Sequence, residues 1–139
     1  MITDDTQLRN ILTDYKNIVI VGLSPDPFRP SNSVAIYLLD HGYNVIPVNP
    51  GVDEVLGLKS YGSLEEIPGE IDVVDVFRRS EHVPDIAREA AEINAKILWT
   101  QLGVISPEGA EIAEAAGLKV VMDRCTAIEH RRLVATRTP

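Results

Sequence analysis

The chain has 139 residues, with 13 Lys and Arg against 21 Asp and Glu, for a net charge of −8. That length supports one domain, 1–139, and 45% hydrophobic with 24% charged residues is the composition of a globule that buries a core, which excludes global disorder. The acidic balance argues against non-specific binding to nucleic acid or to an anionic membrane, because both need a basic surface; a polyanionic ligand would require a local positive pocket.

A single cysteine, Cys125, forms no intrachain disulfide. The start Met1-Ile-Thr-Asp-Asp5 lacks the basic flank and apolar stretch of a secretory signal, and no apolar run approaches the roughly 18 residues that span a bilayer. The expected location is the cytoplasm.

The first predicted element is an amphipathic helix over about 4–15, with Leu8, Ile11, Leu12 and Tyr15 on one face. Residues 17–22 are a continuous apolar, β-branched run, the pattern of a strand buried on both faces. A helix follows from about Ser33 to His41 and stops at Gly42, a residue suited to the left-handed position after a helix. Val45–Val48 is the second buried strand, and Ser63-Leu-Glu-Glu66 has the capping-box pattern of a short helix. Val73–Phe77 is the third strand. Val83, Ile86, Ala87, Ala90 and Ala91 then repeat with helical spacing, before a fourth strand at Lys96–Trp99. Ser106-Pro107 supplies an N-cap with Pro at the first helical position, and that helix ends at Gly117. After a fifth strand at Lys119–Met122, the capping-box pattern Thr126-Ala-Ile-Glu129 opens a C-terminal helix, with a frayed tail expected over about 134–139.

Strand and helix alternate, so the chain reads as a doubly wound α/β fold: a mainly parallel five-stranded sheet with helices on both faces. Such a sheet takes ligands at the C-terminal ends of its strands. The residues there are Gly22–Ser33, Asn49-Pro50, Arg78-Arg79, Thr100–Gly103 and Asp123–Cys125.

In the first of these loops, Gly22 permits a sharp turn, and the next helix start offers free N–H groups and a positive dipole end. Ser24, Ser31, Ser33 and Arg29 add donors, the composition of a phosphate cradle; the competing reading is an ordinary βα loop with Ser33 as N-cap. A dinucleotide would be the usual ligand, yet the G-x-G-x-x-G fingerprint is missing. The second strand ends in Asn49-Pro50 instead of the carboxylate that binds a ribose, with Asp53 and Glu54 only further on. Arg78 and Arg79 place two guanidiniums at the same crevice, suited to phosphate oxygens; alternatively they pair on the surface with Asp26, Glu81 or Asp85.

Taken together, several stretches resemble the stand-alone coenzyme A (CoA)-binding proteins, whose Rossmann-like domain is also the N-terminal domain of the succinyl-CoA synthetase alpha subunit. They are Val21-Gly22-x-Ser24 with Pro27-x-Arg29-Pro30, Gly42-Tyr43-x-Val45-x-Pro47-Val48-Asn49-Pro50, Asp75-Val76-Phe77-Arg78, Trp99-x-Gln101-x-Gly103, and Asp123-Arg124-Cys125 with Glu129-His130-Arg131-Arg132-Leu133. The resemblance spans about residues 8–133 and implies coenzyme A as the ligand. The Gly-Ser loop and following helix would hold its phosphates, and the ends of strands two to four would shape the adenosine and pantetheine sites. It implicates Ser24, Arg29, Asn49, Arg78 and Gln101–Gly103; with their neighbours, the candidate binding set is Gly22, Ser24, Arg29, Ser31, Ser33, Asn49, Pro50, Phe77, Arg78, Arg79, Gln101 and Gly103. Electrostatics points the same way, since a carboxylate after strand two would repel a 3′-phosphate of about −1.5 to −2 where Asn49 can donate a hydrogen bond. Arg29, Arg78 and Arg79 would balance that charge, with Lys59 behind them.

Succinyl-CoA synthetase also uses a phosphohistidine in a second domain and an ATP-grasp partner, and the chain is expected to hold neither. His41, His82 and His130 are expected in solvated structural roles, and none is spaced as a metal ligand on a shared helix face. Cys125 is either an inert packed thiol or one near the pantetheine tip able to exchange with a CoA disulfide. Asp75, inside an apolar strand, is a hydrogen-bonded structural acid or, in the competing reading, a phospho-acceptor. The leading expectation is a protein that binds CoA or acyl-CoA and is non-catalytic alone, working as a carrier, a sensor or a subunit for a protein partner, or as a homo-oligomer. The alternatives are a small NAD(P)-binding oxidoreductase and a CoA-ligase subunit that needs another chain.

Overall fold

The computed structural model describes residues 1–135. Five parallel strands, β1 (Asn17–Val21), β2 (Asn44–Val48), β5 (Val73–Val76), β6 (Ile97–Thr100) and β7 (Lys119–Val121), form one sheet in the order β2-β1-β5-β6-β7. The helices are α1 (Asp5–Asp14), α2 (Pro30–Asp40), α3 (Val83–Glu92), α4 (Pro107–Ala115) and α5 (Thr126–Leu133). The doubly wound fold expected from the sequence is therefore the observed one. Strand order reverses at β1, which lies between β2 and β5.

Alternation along the strands explains the layers. Ile18, Ile20, Ile97 and Trp99 face one way into a core shared with Leu8 and Leu12 of α1, Leu38 of α2 and Leu133 of α5. Val19, Val74, Leu98 and Val120 face the other way, against Ile86 and Ala90 of α3 and Ala113 of α4. Because both faces are covered, the strands need mostly apolar side chains, which is why they read as apolar runs; buried Asp75 and Thr100 are polar exceptions.

Helix boundaries follow local chemistry, with three corrections. Helix α2 begins at Pro30 and not at Ser33, because extended Arg29 precedes a proline whose fixed φ suits the first helical position. Ser33 is then an exposed residue inside the first turn and caps nothing. The Ser63 pattern opens only a 3₁₀ turn, Leu64–Glu66, in which the Ser63 hydroxyl bonds the Glu66 carboxylate and no backbone N–H. The Thr126 pattern is not a cap: the N-cap of α5 is Cys125, while the Thr126 hydroxyl donates to Asp75 and Glu129 binds Arg124 and Arg132. Ser106 is an N-cap as expected, accepting from the Gly109 N–H at 3.0 Å.

A hairpin of β3 (Glu54–Val55) and β4 (Leu58–Lys59) lies beyond β2, turned by Leu56 and Gly57 at φ 54 and 75. Its two-residue strands are too short to show a period in the sequence. It carries Asp53, Glu54 and Lys59, and the Lys59 ammonium sits over the Tyr61 ring. His130 also departs from expectation. It is buried, 5% exposed, with its Nδ1 hydrogen-bonded to the Tyr37 hydroxyl at 2.8 Å, and His41 stacks on the same Tyr37. Of the tail expected to fray, residues 136–139 lie outside the described residues. Among the described residues no helix is long and apolar enough to cross a membrane.

Candidate functional site

At the switch point the chain leaves β1 through Gly22, whose N–H donates to the Val48 carbonyl at 2.8 Å, and leaves β5 through Phe77, whose N–H donates to the Val21 carbonyl at 2.9 Å. The two exits are pressed together. A Cβ on Gly22 would lie 2.6 Å from the Phe77 carbonyl oxygen and 3.0 Å from Arg78 Cδ, and Gly22 adopts φ 90, so only glycine suits this position.

This contact forms a ridge with a cavity on each side. The first, of about 390 Å³, is lined by Gly22, Asn49, Pro50 and Arg78, together with Ser63, Leu64, Ile86 and Glu89. The second, of about 690 Å³, is lined by Gly22, Ser24, Arg29, Ser31, Phe77, Arg78, Arg79 and Gln101, with Pro30, Val34, Leu102, Val104 and Cys125. Both volumes are in the range of small-molecule sites. Gly22 and Arg78 belong to both walls. The structure thus brings together all the sequence-predicted residues except Ser33, on the outer face of α2, and Gly103, whose φ of 80 and N–H bond to Asp123 make it part of a turn outside both cavities.

Their roles divide by hydrogen bonding. Ser31 and Asn32 are buried and hold the loop: the Ser24 N–H donates to the Ser31 hydroxyl at 3.0 Å, and Asn32 Nδ2 donates to the Ser24 carbonyl at 2.9 Å. Asn49 is likewise engaged, its Nδ2 donating to the Leu23 carbonyl and its Oδ1 accepting from the Gly51 N–H. One of the two Asn49 amide protons thus ties the β1 and β2 loops together, while the residue lines the first cavity. Arg79 pairs at 3.9 Å with Glu81, both side chains highly exposed. Arg29 and Arg78 make no ion pair or side-chain hydrogen bond among the described residues, so the surface pairing weighed for Arg78 does not form. Their guanidiniums bring positive charge to the crevice without an ion pair among the described residues.

Asn32 and Glu89 went unmarked in the sequence, and the Ser63–Leu64 turn was marked as a short helix but not as a wall of the site. Of the two unmarked residues only Asn32 carried a signal, being a polar residue in the run Ser31-Asn32-Ser33 at a helix start. Burial, then the negative charges of Asp85, Glu65 and Glu92, raises the Glu89 carboxyl above its ordinary range.

Asp75 is fully buried and is a hydrogen-bonded structural acid. It accepts from Gln101 Nε2 at 2.7 Å and from the Thr126 hydroxyl at 3.1 Å. Burial pushes its pKa up to about 7, against the opposing pull of those two bonds. A carboxyl with its folded pKa above its unfolded value keeps its proton longer in the folded state, so stability falls as pH rises from about 4 to about 7. Thermal melts across that window should show the decline, and Asp75→Asn should flatten it; an equally steep decline in the variant would place the titrating group elsewhere.

A family model described as a CoA binding domain matches residues 16–131. The chain belongs to this family. The chain is 44% identical over 124 residues to the uncharacterized protein YneT of Bacillus subtilis (strain 168), covering 89% of this chain and 92% of that one. It is 31% identical to the alpha subunit of the ADP-forming acetate–CoA ligase II of Pyrococcus furiosus, covering 87% of this chain but only 29% of that subunit. Among solved structures, a hypothetical protein from Pyrococcus horikoshii OT3 superposes with a TM-score of 0.93 at 44% identity, covering 95% of this chain and 93% of that one. The ligase relatives are thus acetate–CoA ligases, a more specific likeness than the succinyl-CoA synthetase alpha subunit that the sequence motifs suggested.

Proposed function

We propose that this chain binds coenzyme A or an acyl-CoA across the Gly22–Arg78 ridge, with the phosphates held by Arg78, Arg29 and the loop and helix start from Ser24 to Ser31. The observation that carries this reading is Arg78, a guanidinium without an ionic partner that lines both cavities in a protein of net charge −8. A ligand with a diphosphate and a 3′-phosphate is the kind that would use it, since a guanidinium fork bonds two phosphate oxygens at once. The missing Cβ at Gly22 lets the ends of β1 and β5 close on each other, which holds Arg78 beside the loop that leaves β1. Asn49 at the end of β2 puts no carboxylate where a dinucleotide ribose would need one.

Bound CoA would supply a thiol that carries acyl groups as thioesters. The chain's own residues bind and orient it, and the chain alone turns nothing over. That is the role of a carrier, a sensor or a subunit offered to a partner chain. Calorimetric titration against CoA, dephospho-CoA, NAD and NADP tests the reading. CoA should bind, dephospho-CoA more weakly, and the dinucleotides least; tighter binding of NAD or NADP than of CoA would replace this reading with the oxidoreductase one.

A further inference from the structure

We propose that the protonation state of Asp75 decides which end of the Gln101 amide faces the second cavity: carbonyl oxygen when Asp75 is a carboxylate, NH₂ when it is a carboxylic acid. This deepens the reading of that cavity as the CoA site and makes Gln101 a specificity-determining residue positioned by a buried acid.

The hydrogen bonds fix the first of these states. A carboxylate only accepts, so Gln101 must turn its NH₂ toward Asp75 Oδ1, and Thr126 must point its hydroxyl proton at Oδ2. Gln101 Nε2 also lies 3.3 Å from the Thr126 hydroxyl, which occupies its second proton. Gln101 is 5% exposed, no buried side-chain oxygen or nitrogen lacks a partner, and no bond to its Oε1 forms among the described residues. Oε1 is therefore the atom that reaches the cavity surface.

Protonation reverses the pattern. A proton on Oδ1 needs an acceptor, which Gln101 supplies by turning its amide over and presenting NH₂ to the cavity. A proton on Oδ2 would instead donate to Thr126 and leave the Thr126 hydroxyl proton without an acceptor, at a fully buried residue in the first turn of α5, where N–H groups and not carbonyls are unpaired. The flip keeps Asp75 and Thr126 bonded, and the Gln101 NH₂ gives up its two acceptors to face the cavity.

Among the described residues no charged group contributes to the shift of Asp75. Its neighbours in register are Ile20 on β1 and Trp99 on β6. Of the ionisable groups on the helices of that face, Arg9 of α1 is engaged with the Leu133 carbonyl, Asp5 of α1 and Glu129 of α5 with Arg132, His130 of α5 with Tyr37 of α2, and Arg131 of α5 lies over the Tyr37 ring. Only burial and the two hydrogen bonds shift Asp75, and they set its titration near 7, where modest pH changes move it.

An acceptor at this wall suits a thiol or an amide N–H, whereas a donor suits a thioester carbonyl. Acetyl-CoA should therefore gain on CoA as pH falls, by about three- to tenfold, the range of one neutral hydrogen bond. Both ligands carry the same phosphates, so phosphate titration cancels in the ratio of their affinities. The test has two arms. In the ligand-free protein, NMR from about pH 5 to about pH 9 should show the Asp75 carboxyl carbon and the Gln101 side-chain NH₂ moving with one midpoint, and Asp75→Asn should leave the Gln101 signal flat. A titrating Asp75 beside a motionless Gln101 overturns the proposal, and needs no variant to be seen. In the second arm, the acetyl-CoA to CoA affinity ratio should rise toward acid in the natural protein and stay constant in Asp75→Asn; a ratio independent of pH overturns the specificity role. Failure of both ligands to bind would overturn the CoA reading instead, while the first arm would still decide whether Asp75 turns Gln101.

Discussion

Gly22→Ala should lose both stability and CoA affinity. The new methyl group would sit 2.6 Å from the Phe77 carbonyl oxygen, which is backbone and cannot swing aside, and it would be attached at φ 90, where side chains strain against their own backbone. Strain and overpacking together should cost roughly 2–5 kcal/mol in denaturant melts. Relief of the clash separates β1 from β5 at the ridge, so whatever stability survives, Arg78 moves away from the loop it works with. Gly42→Ala is the matched control. Its φ of 86 is equally left-handed but its Cβ would meet nothing within 4 Å, so it should show only the backbone share of the loss and keep its affinity. Equal losses in the two variants would mean that the close approach at Gly22 contributes nothing.

Arg78→Ala should separate binding from folding. The guanidinium has no partner in the described residues, so its removal breaks no internal bond and stability should stay within about 0.5 kcal/mol. A lost charge-assisted hydrogen bond to phosphate costs about 1.5–3 kcal/mol, or about 10- to 150-fold in affinity. Arg78→Lys should recover only part of it, because an ammonium keeps the charge but not the fork. A variant that binds CoA normally would leave Arg78 as an ordinary surface arginine and take away the observation on which the function rests.

Much of this was legible in the residues. The strands announced themselves because a sheet covered on both faces needs mostly apolar side chains, as in Ile18–Val21 and, around the single acid Asp75, Val73–Val76. The crevice was legible for the same reason, since a parallel sheet with helices between its strands puts its loops at one end. What stayed hidden depends on contacts between distant segments. Thr126-Ala-Ile-Glu129 matches a capping box letter for letter, yet Asp75, 51 positions away in sequence, takes the Thr126 hydroxyl. That Asn49 also ties the two loops together, through the Leu23 carbonyl across the strand ends, shows in neither loop alone. That Arg78 serves two cavities follows from Gly22 packing on Phe77, a closeness that neither loop shows alone.

In the proposed complex coenzyme A sits at the C-terminal ends of the strands, astride the contact between Gly22 and Arg78. Titrating ¹⁵N-labelled protein with CoA and following each backbone amide tests it most directly. The amides of Gly22, Ser24, Arg78 and Gln101 should shift saturably and together, while those of α1 and of the β3–β4 hairpin stay still. Saturable shifts confined to residues outside the two cavities, or spectra that CoA leaves unchanged, would contradict it.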